Sequence, residues 1–200
     1  MSATARATAA ARPLRADAQR NRDALLEAAS AAFTEKGVDT SLEDVAKRAG
    51  VGIGTLYRHF PTRDALIEAA YRRGVEQLCD AAEELRATHE GDEALELWMQ
   101  RFVRYVATKR GLAGALKLGD GDHAELFAYV HDRIETAVAR LLDAACATER
   151  VRSDVDPILI MRALSGICLV GDSAEQQVRQ LITLLMDGLR FGAPATTTAK

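Results

Sequence analysis

The sequence predicts an all-α protein, and three observations carry the prediction. Apolar residues recur at three- and four-residue spacing through most of the chain, the mark of amphipathic helices. Only four prolines occur in 200 residues, of which 48% are hydrophobic, so long helices are rarely interrupted. Alanine, leucine, arginine and glutamate dominate, and these are strong helix formers. A chain of this length buries a sizeable core without disulfides or metal.

Taken in order, residues 1–15 are small and low in complexity, with Pro13 near the end, and read as a disordered arm. Arg6, Arg12 and Arg15, followed by Arg20 and Arg22, either touch phosphate or a minor groove or remain in a solvated tail. Helix 1 is expected over 16–36, with Leu25, Ala29, Ala32 and Phe33 on one face and Gly37 ending it. Ser41 caps a second helix, with Asp44 three residues on reaching back. Leu42, Val45, Ala46 and Ala49 share its buried face, and Gly50 allows the positive-φ turn that follows. A third helix, from Ile53 to Phe60, turns Leu56 and Phe60 inward. Small Ala46, a glycine turn and a buried Leu56 occur at the offsets of a helix-turn-helix, whose second helix enters a DNA major groove.

Pro61 breaks the chain and Thr62 caps helix 4, which runs past Leu85 on an inward face of Leu66, Ile67, Ala70, Leu78, Ala82 and Leu85. Asp92 caps helix 5, which carries Leu95, Trp98, Met99, Phe102, Val103 and Val106; a short apolar segment over 112–118 follows separately. Asp122 and Glu125 form a capping box for helix 7, which extends to about Thr148. Asp156-Pro157 is a cap with proline at the first helical position, opening helix 8. Ser173 with Gln176 opens helix 9, and residues 193–200 read as a frayed tail. The total is about nine helices.

The charge is unevenly spread. Residues 1–64 hold ten Lys/Arg against eight Asp/Glu, while the whole chain is at −3, so the basic excess lies with the helix-turn-helix. Cys79, Cys146 and Cys168 are odd in number and widely spaced, which suits reduced thiols. No signal peptide or spanning segment is evident, and a cytoplasmic protein is expected. Tyr57 and His59 are the nearest approach to an acid–base pair. Neither nucleophile nor orienting carboxylate accompanies them, so no catalytic residue is assigned. Asp120-Gly121-Asp122-His123 lacks the further oxygen ligands of a calcium loop, so no metal site is assigned, and no cofactor is implied.

The run Tyr57-Arg58-His59-Phe60-Pro61-Thr62-Arg63-Asp64-Ala65-Leu66, behind Gly50 and Thr55-Leu56-Tyr57, resembles the TetR family of bacterial one-component regulators from about Gln19 to Tyr71. The resemblance implies a homodimeric repressor that binds a palindromic operator and is released by a small-molecule effector. It implies a helix-turn-helix domain over 16–61 and an effector-binding and dimerising domain over 62–192. Matched by motif position, Thr55, Tyr57, Arg58 and His59 meet bases or phosphates, Thr40 and Ser41 meet the backbone, and Arg63 faces phosphate. Gly52 and Ile53 depart from the family's usual cap and polar residue; Ile53 remains suited to a thymine methyl.

The resemblance also implies a ligand pocket lined by Leu78, Trp98, Phe102, Tyr105, Phe127, Ile134, Met161 and Cys168, although ordinary core packing accounts for the same residues. Trp98 and Tyr105 would each offer one polar handle. Leu164, Val178, Leu181, Ile182, Leu185 and Leu189 are the expected dimer interface, as a four-helix bundle built from two helices of each subunit. The rival reading is a helical protein-interaction adaptor that keeps the fold without operator specificity. Gly52 and Ile53 are its best support.

Overall fold

In a computed structural model, residues 11–118, 123–168 and 175–191 are described. Among them the chain forms eight α-helices and one 3-10 turn, with no strand. The helices are α1 (Ala11–Lys36), α2 (Leu42–Arg48), α3 (Ile53–His59), α4 (Arg63–Thr88), α5 (Gly91–Leu118), α6 (Ala124–Cys146), α7 (Pro157–Ile167) and α8 (Glu175–Phe191). The short turn is Gly37–Asp39. Two compact units result, 1–73 with 108–121 and 74–107 with 122–200. The division falls inside α4 and inside α5, so two helices belong to both units.

Three differences from the expected elements have local causes. Helix α1 begins at Ala11 rather than 16; Pro13 lies in its first turn, where proline sacrifices no intrahelical bond. The expected helix 5 and the apolar segment after it form one rod, α5. Gly111 does not break it, because glycine inside a helix costs only about 1 kcal/mol. This merger leaves eight α-helices among the described residues where nine were expected. Asp92, the expected cap, lies inside α5 and receives Arg190 Nε at 3.1 Å. The Asp122 and Ser173 caps, the residue 193–200 tail and the first ten residues of the arm lie outside the described residues.

In the first unit, α1 packs against α2 and α3, and α2 against α3. Leu25, Ala29, Ala32, Phe33, Val45, Leu56, Leu66 and Ile67 are fully or almost fully buried. The last part of α5 joins them through Leu112 and Leu116. Gly111 permits that approach: a Cβ there would lie 2.0 Å from the Phe33 carbonyl oxygen. The Thr34 hydroxyl reaches the Thr108 carbonyl across the same contact, at 2.6 Å.

In the second unit, α6 packs on α7 and α7 on α8. Trp98 is fully buried, and its indole N–H donates to the Leu78 carbonyl at 3.0 Å. A Cβ on Gly91 would lie 2.2 Å from the Ala144 carbonyl oxygen, so α5 starts hard against the end of α6. Arg190 ties α8 to the same place, reaching Glu96 at 3.0 Å as well as Asp92. Asp156 accepts from Ile158 N–H at 2.8 Å, the cap expected for the proline-initiated α7.

Gly111 and Gly114 sit one turn apart in α5 and test this packing against each other. Gly111→Ala should lower unfolding free energy by about 1–3 kcal/mol through forced displacement. Gly114→Ala, whose added Cβ meets nothing within 4 Å, should raise it by up to about 1 kcal/mol. Urea denaturation followed by circular dichroism at 222 nm reads both, and equal effects would remove the close-approach argument.

Candidate nucleic-acid interface

The interface is built on α2, a glycine turn and α3. Ser41 Oγ accepts from Asp44 N–H at 3.0 Å and caps α2. Asp44 does not reach back to complete a capping box; its carboxylate instead receives Lys36 Nζ at 2.6 Å. Gly50 takes φ +69°, and Val51 N–H returns to the Ala46 carbonyl at 3.0 Å. That left-handed residue closes α2 and aims the chain into α3. Gly52 caps α3 through its carbonyl alone, accepting from Thr55 N–H at 2.9 Å.

Only one face of α3 is committed to the protein. Leu56 is fully buried and Phe60, just after the helix, is 3% exposed. The Arg22 guanidinium covers the Phe60 ring 5.5 Å from its centroid. Gly52, Ile53, Gly54, Tyr57 and Arg58 are exposed, and Thr55 and His59 half-buried. Tyr57 is 47% exposed and Ile53 37%, so this face carries apolar as well as polar surface. Arg58 lies back along its own helix, with Nε 3.3 Å from the Gly54 carbonyl and Nη2 3.2 Å from Thr55 Oγ1. Those exposed bonds are weak enough to exchange for a base edge or phosphate.

Two charged clasps join α1 to α2. Arg48 pairs with both oxygens of Glu35, at 2.9 and 2.7 Å, and Lys36 holds Asp44 as above. Each cation's hydrogen bond keeps its carboxylate below the usual range. The clasps' stabilising effect is therefore present at neutral pH and fades as pH falls through those lowered values. Lys36, Lys47 and Arg48 with Asp44 line an open depression of about 380 Å³. Two of its three cations are already paired, which weakens it as an anion site. Lys47, exposed on the last turn of α2, was not among the expected contacts; its place one residue before the paired Arg48 was the available signal.

Thr40 and Arg63 both make contacts within the protein. Thr40 is 1% exposed, and its hydroxyl lies 3.0 Å from the Ala32 carbonyl and 2.9 Å from that of Gly37. A side chain so enclosed does not reach a phosphate, and Thr40 is a packing residue. Arg63 Nη1 donates to the Thr40 carbonyl at 2.6 Å, and its guanidinium stacks 4.9 Å from the Phe33 ring centroid. It thereby locks the start of α4 to the end of α1.

Comparison with known proteins decides what this arrangement is. A family model described as bacterial regulatory proteins, tetR family, matches residues 25–70. A second, described as transcriptional regulator SbtR-like, C-terminal domain, matches residues 90–191. A TetR transcriptional regulator of Streptomyces coelicolor is 42% identical, with a TM-score of 0.78 over 84% of this chain and 98% of that one. The chain belongs to the TetR family. A TetR transcription regulatory protein of Mycobacterium vanbaalenii is 35% identical, covering 89% of this chain and 99% of that one at a TM-score of 0.77. A helix-turn-helix transcriptional regulator of Staphylococcus aureus is 26% identical over 129 residues, 60% of this chain and 70% of its own length. As a TetR-family transcriptional regulator, the chain is a DNA-binding protein of helix-turn-helix type.

The residues expected in the second unit fall into two groups. Leu164, Ile182 and Leu189 are 0%, 1% and 4% exposed, buried within their own subunit. Val178, Leu181 and Leu185 are half-buried on α8. Leu159 and Leu184, 54% and 67% exposed, were not singled out. They extend the apolar stripe one position outward, a phase that helical spacing alone leaves open. Of the expected pocket residues, Leu78, Trp98, Phe102, Ile134 and Cys168 are buried, and Tyr105, Phe127 and Met161 half-buried. Trp98 offers no free polar handle, because Leu78 holds its N–H. No helix among the described residues is long and apolar enough to cross a membrane.

Arg63 and Arg58 separate positioning from contact. Arg63→Met removes a charged hydrogen bond and a ring stack, so unfolding free energy should fall by about 1.5–3 kcal/mol. Arg58→Ala should stay within about 0.5 kcal/mol of wild type. Urea unfolding of the two variants beside wild type checks the contrast; indifference to Arg63→Met would contradict the lock.

Proposed function

We propose that the protein is a cytoplasmic homodimeric repressor that binds a palindromic operator and is released by a small-molecule effector, with no catalytic activity. The observation that carries the DNA half is the outward face of α3. Its apolar anchors are spent on the core, while Ile53, Thr55, Tyr57, Arg58 and His59 stand where a major groove would meet them. Ser41 and Arg63, at the starts of α2 and α4, flank that face, and phosphate contact by either fits beside the roles described above. Gly52 leaves the approach to α3 unobstructed, with nothing within 4 Å of an added Cβ.

Dimerisation is supported by the apolar stripe on α7 and α8. Leu159, Val178, Leu181, Leu184 and Leu185 leave apolar surface uncovered by their own subunit, and two such helices per subunit suit a four-helix interface. The effector site we infer would be lined by Leu78, Trp98, Phe102, Tyr105, Phe127, Ile134, Met161 and Cys168, which all belong to the second unit. Their mainly apolar character favours a largely apolar ligand. The two recognition helices of the dimer must stand about 34–36 Å apart, or a multiple of one DNA turn, to enter successive grooves. An effector that changes that spacing through α4 lowers operator affinity, and operator lowers effector affinity by the same factor.

Selection from random duplexes by the full-length protein should return a palindrome. Fluorescence anisotropy should then show Arg58→Ala weaker by about 1–3 kcal/mol if Arg58 pairs with a guanine. Equal affinity for scrambled duplex would favour the adaptor reading instead. Gly74, buried in α4 where the two units divide, is the proposed hinge. Gly74→Ala should leave the apo dimer folded and blunt effector-driven release, using an effector found by thermal-shift screening. Release identical to wild type would make Gly74 a packing residue.

A further inference from the structure

Lys109 is 6% exposed on the last part of α5, within the first unit. Its Nζ donates to Ser30 Oγ of α1 at 2.7 Å and lies 3.4 Å from the Ala70 carbonyl of α4. One ammonium on α5 thus bonds to two other helices. Its immediate neighbours supply no carboxylate: burial alone lowers its pKa to about 8, without a contribution from any nearby charge. The charged groups on the surrounding turns are engaged or turned outward. On α4, Arg73 pairs with Asp23 of α1 and Arg72 with Glu68. On α1, Glu27 is exposed, as Arg110 is on α5; Tyr71 is half-buried on α4.

For stability alone this is a poor arrangement. A buried cation without a counter-charge loses hydration that two neutral acceptors replace only in part. An apolar side chain of the same length would fill the space at lower cost. The location suggests what the cation does instead. Ser30 stands one turn before Phe33 and Thr34, in the stretch of α1 to which the reader is fastened. Thr40 is bonded to Ala32, Arg63 covers Phe33, and Arg48 and Lys36 clasp α2 to this end of α1. On the α5 side, Thr108 and Gly111 close on Thr34 and Phe33.

We propose that Lys109 is a positioning residue for operator binding: by joining Ser30 of α1 to the Ala70 carbonyl of α4, it fixes the turn from which α2 and α3 are aimed at DNA. It touches no DNA itself. The inference rests on the DNA-binding reading above. It predicts that affinity falls without any loss of stability when the charge is removed, which a merely structural lysine would not produce.

The test uses full-length wild type, Lys109→Met and Ser30→Ala with the duplex selected by wild type. If wild type selects no duplex, the DNA-binding reading itself fails, and that outcome is separate from those below. Lys109→Met should unfold at a temperature equal to or above that of wild type at pH 7. It should bind operator about three- to tenfold more weakly, as expected for one net hydrogen bond lost from the aiming geometry. Ser30→Ala, which leaves α5 filled and Lys109 in place, should weaken binding in the same direction.

The pH profile supplies the second readout. The folded value lies below the ordinary 10.5, so the unfolded chain holds more protons in the interval between. Wild-type stability from this group therefore rises with pH between about 8 and 10.5. Operator affinity should fall as pH rises through about 8, because the neutral amine makes weaker bonds to Ser30 and Ala70. In Lys109→Met the rise contributed by this group and the fall in affinity should both be lost. Unchanged affinity in Lys109→Met, or a loss of affinity that tracks a loss of stability, overturns the proposal. So does a fall in affinity with rising pH that is as steep in Lys109→Met as in wild type.

Discussion

The reader depends on two buried residues that bracket one short stretch of chain, Phe33 and Thr40. A seven-residue helix has no stability of its own in water, and α2 and α3 are both that short. They persist because Thr40 is enclosed beneath the end of α1, its hydroxyl shared between two carbonyls and its own carbonyl taken by Arg63. Phe33 lies under the same guanidinium. Every residue facing outward from α3 takes its direction from this packing. Surface charge pairs such as Arg48–Glu35 add orientation but little stability.

This constraint explains a division of labour among residues of similar type. Arg58 and Arg63 are five positions apart and both basic, yet one rests loosely along an exposed helix and the other is wedged over a ring. Glycines divide likewise. Gly50 supplies a left-handed turn and Gly111 a close approach. Gly52 and Gly54 meet no neighbour within 4 Å and leave the outer face bare.

The helix-turn-helix was legible in sequence because its signals are local. A cap at Ser41, a positive-φ glycine at Gly50 and apolar residues at helical spacing each act within a few positions of themselves. Less legible were the features that depend on distant partners. The spacing of Leu164, Ile182 and Leu189 marks an apolar face, but whether that face meets its own subunit or another depends on how α6, α7 and α8 pack. The continuity of α5 through Gly111 was hidden for the same reason: the glycine answers Phe33, far away in the chain. Thr40 carried a role matched by motif position, and a motif match does not distinguish a side chain at the surface from one beneath it.

Amide hydrogen exchange of the full-length protein, with its selected duplex and with a scrambled one, tests the central claim most directly. If α3 is aimed at DNA by the turn beneath it, the specific duplex should protect peptides from Ser41 to Arg63 and do so more than the scrambled duplex. Protection that leaves 41–63 unchanged, or that is the same for both duplexes, would contradict the account.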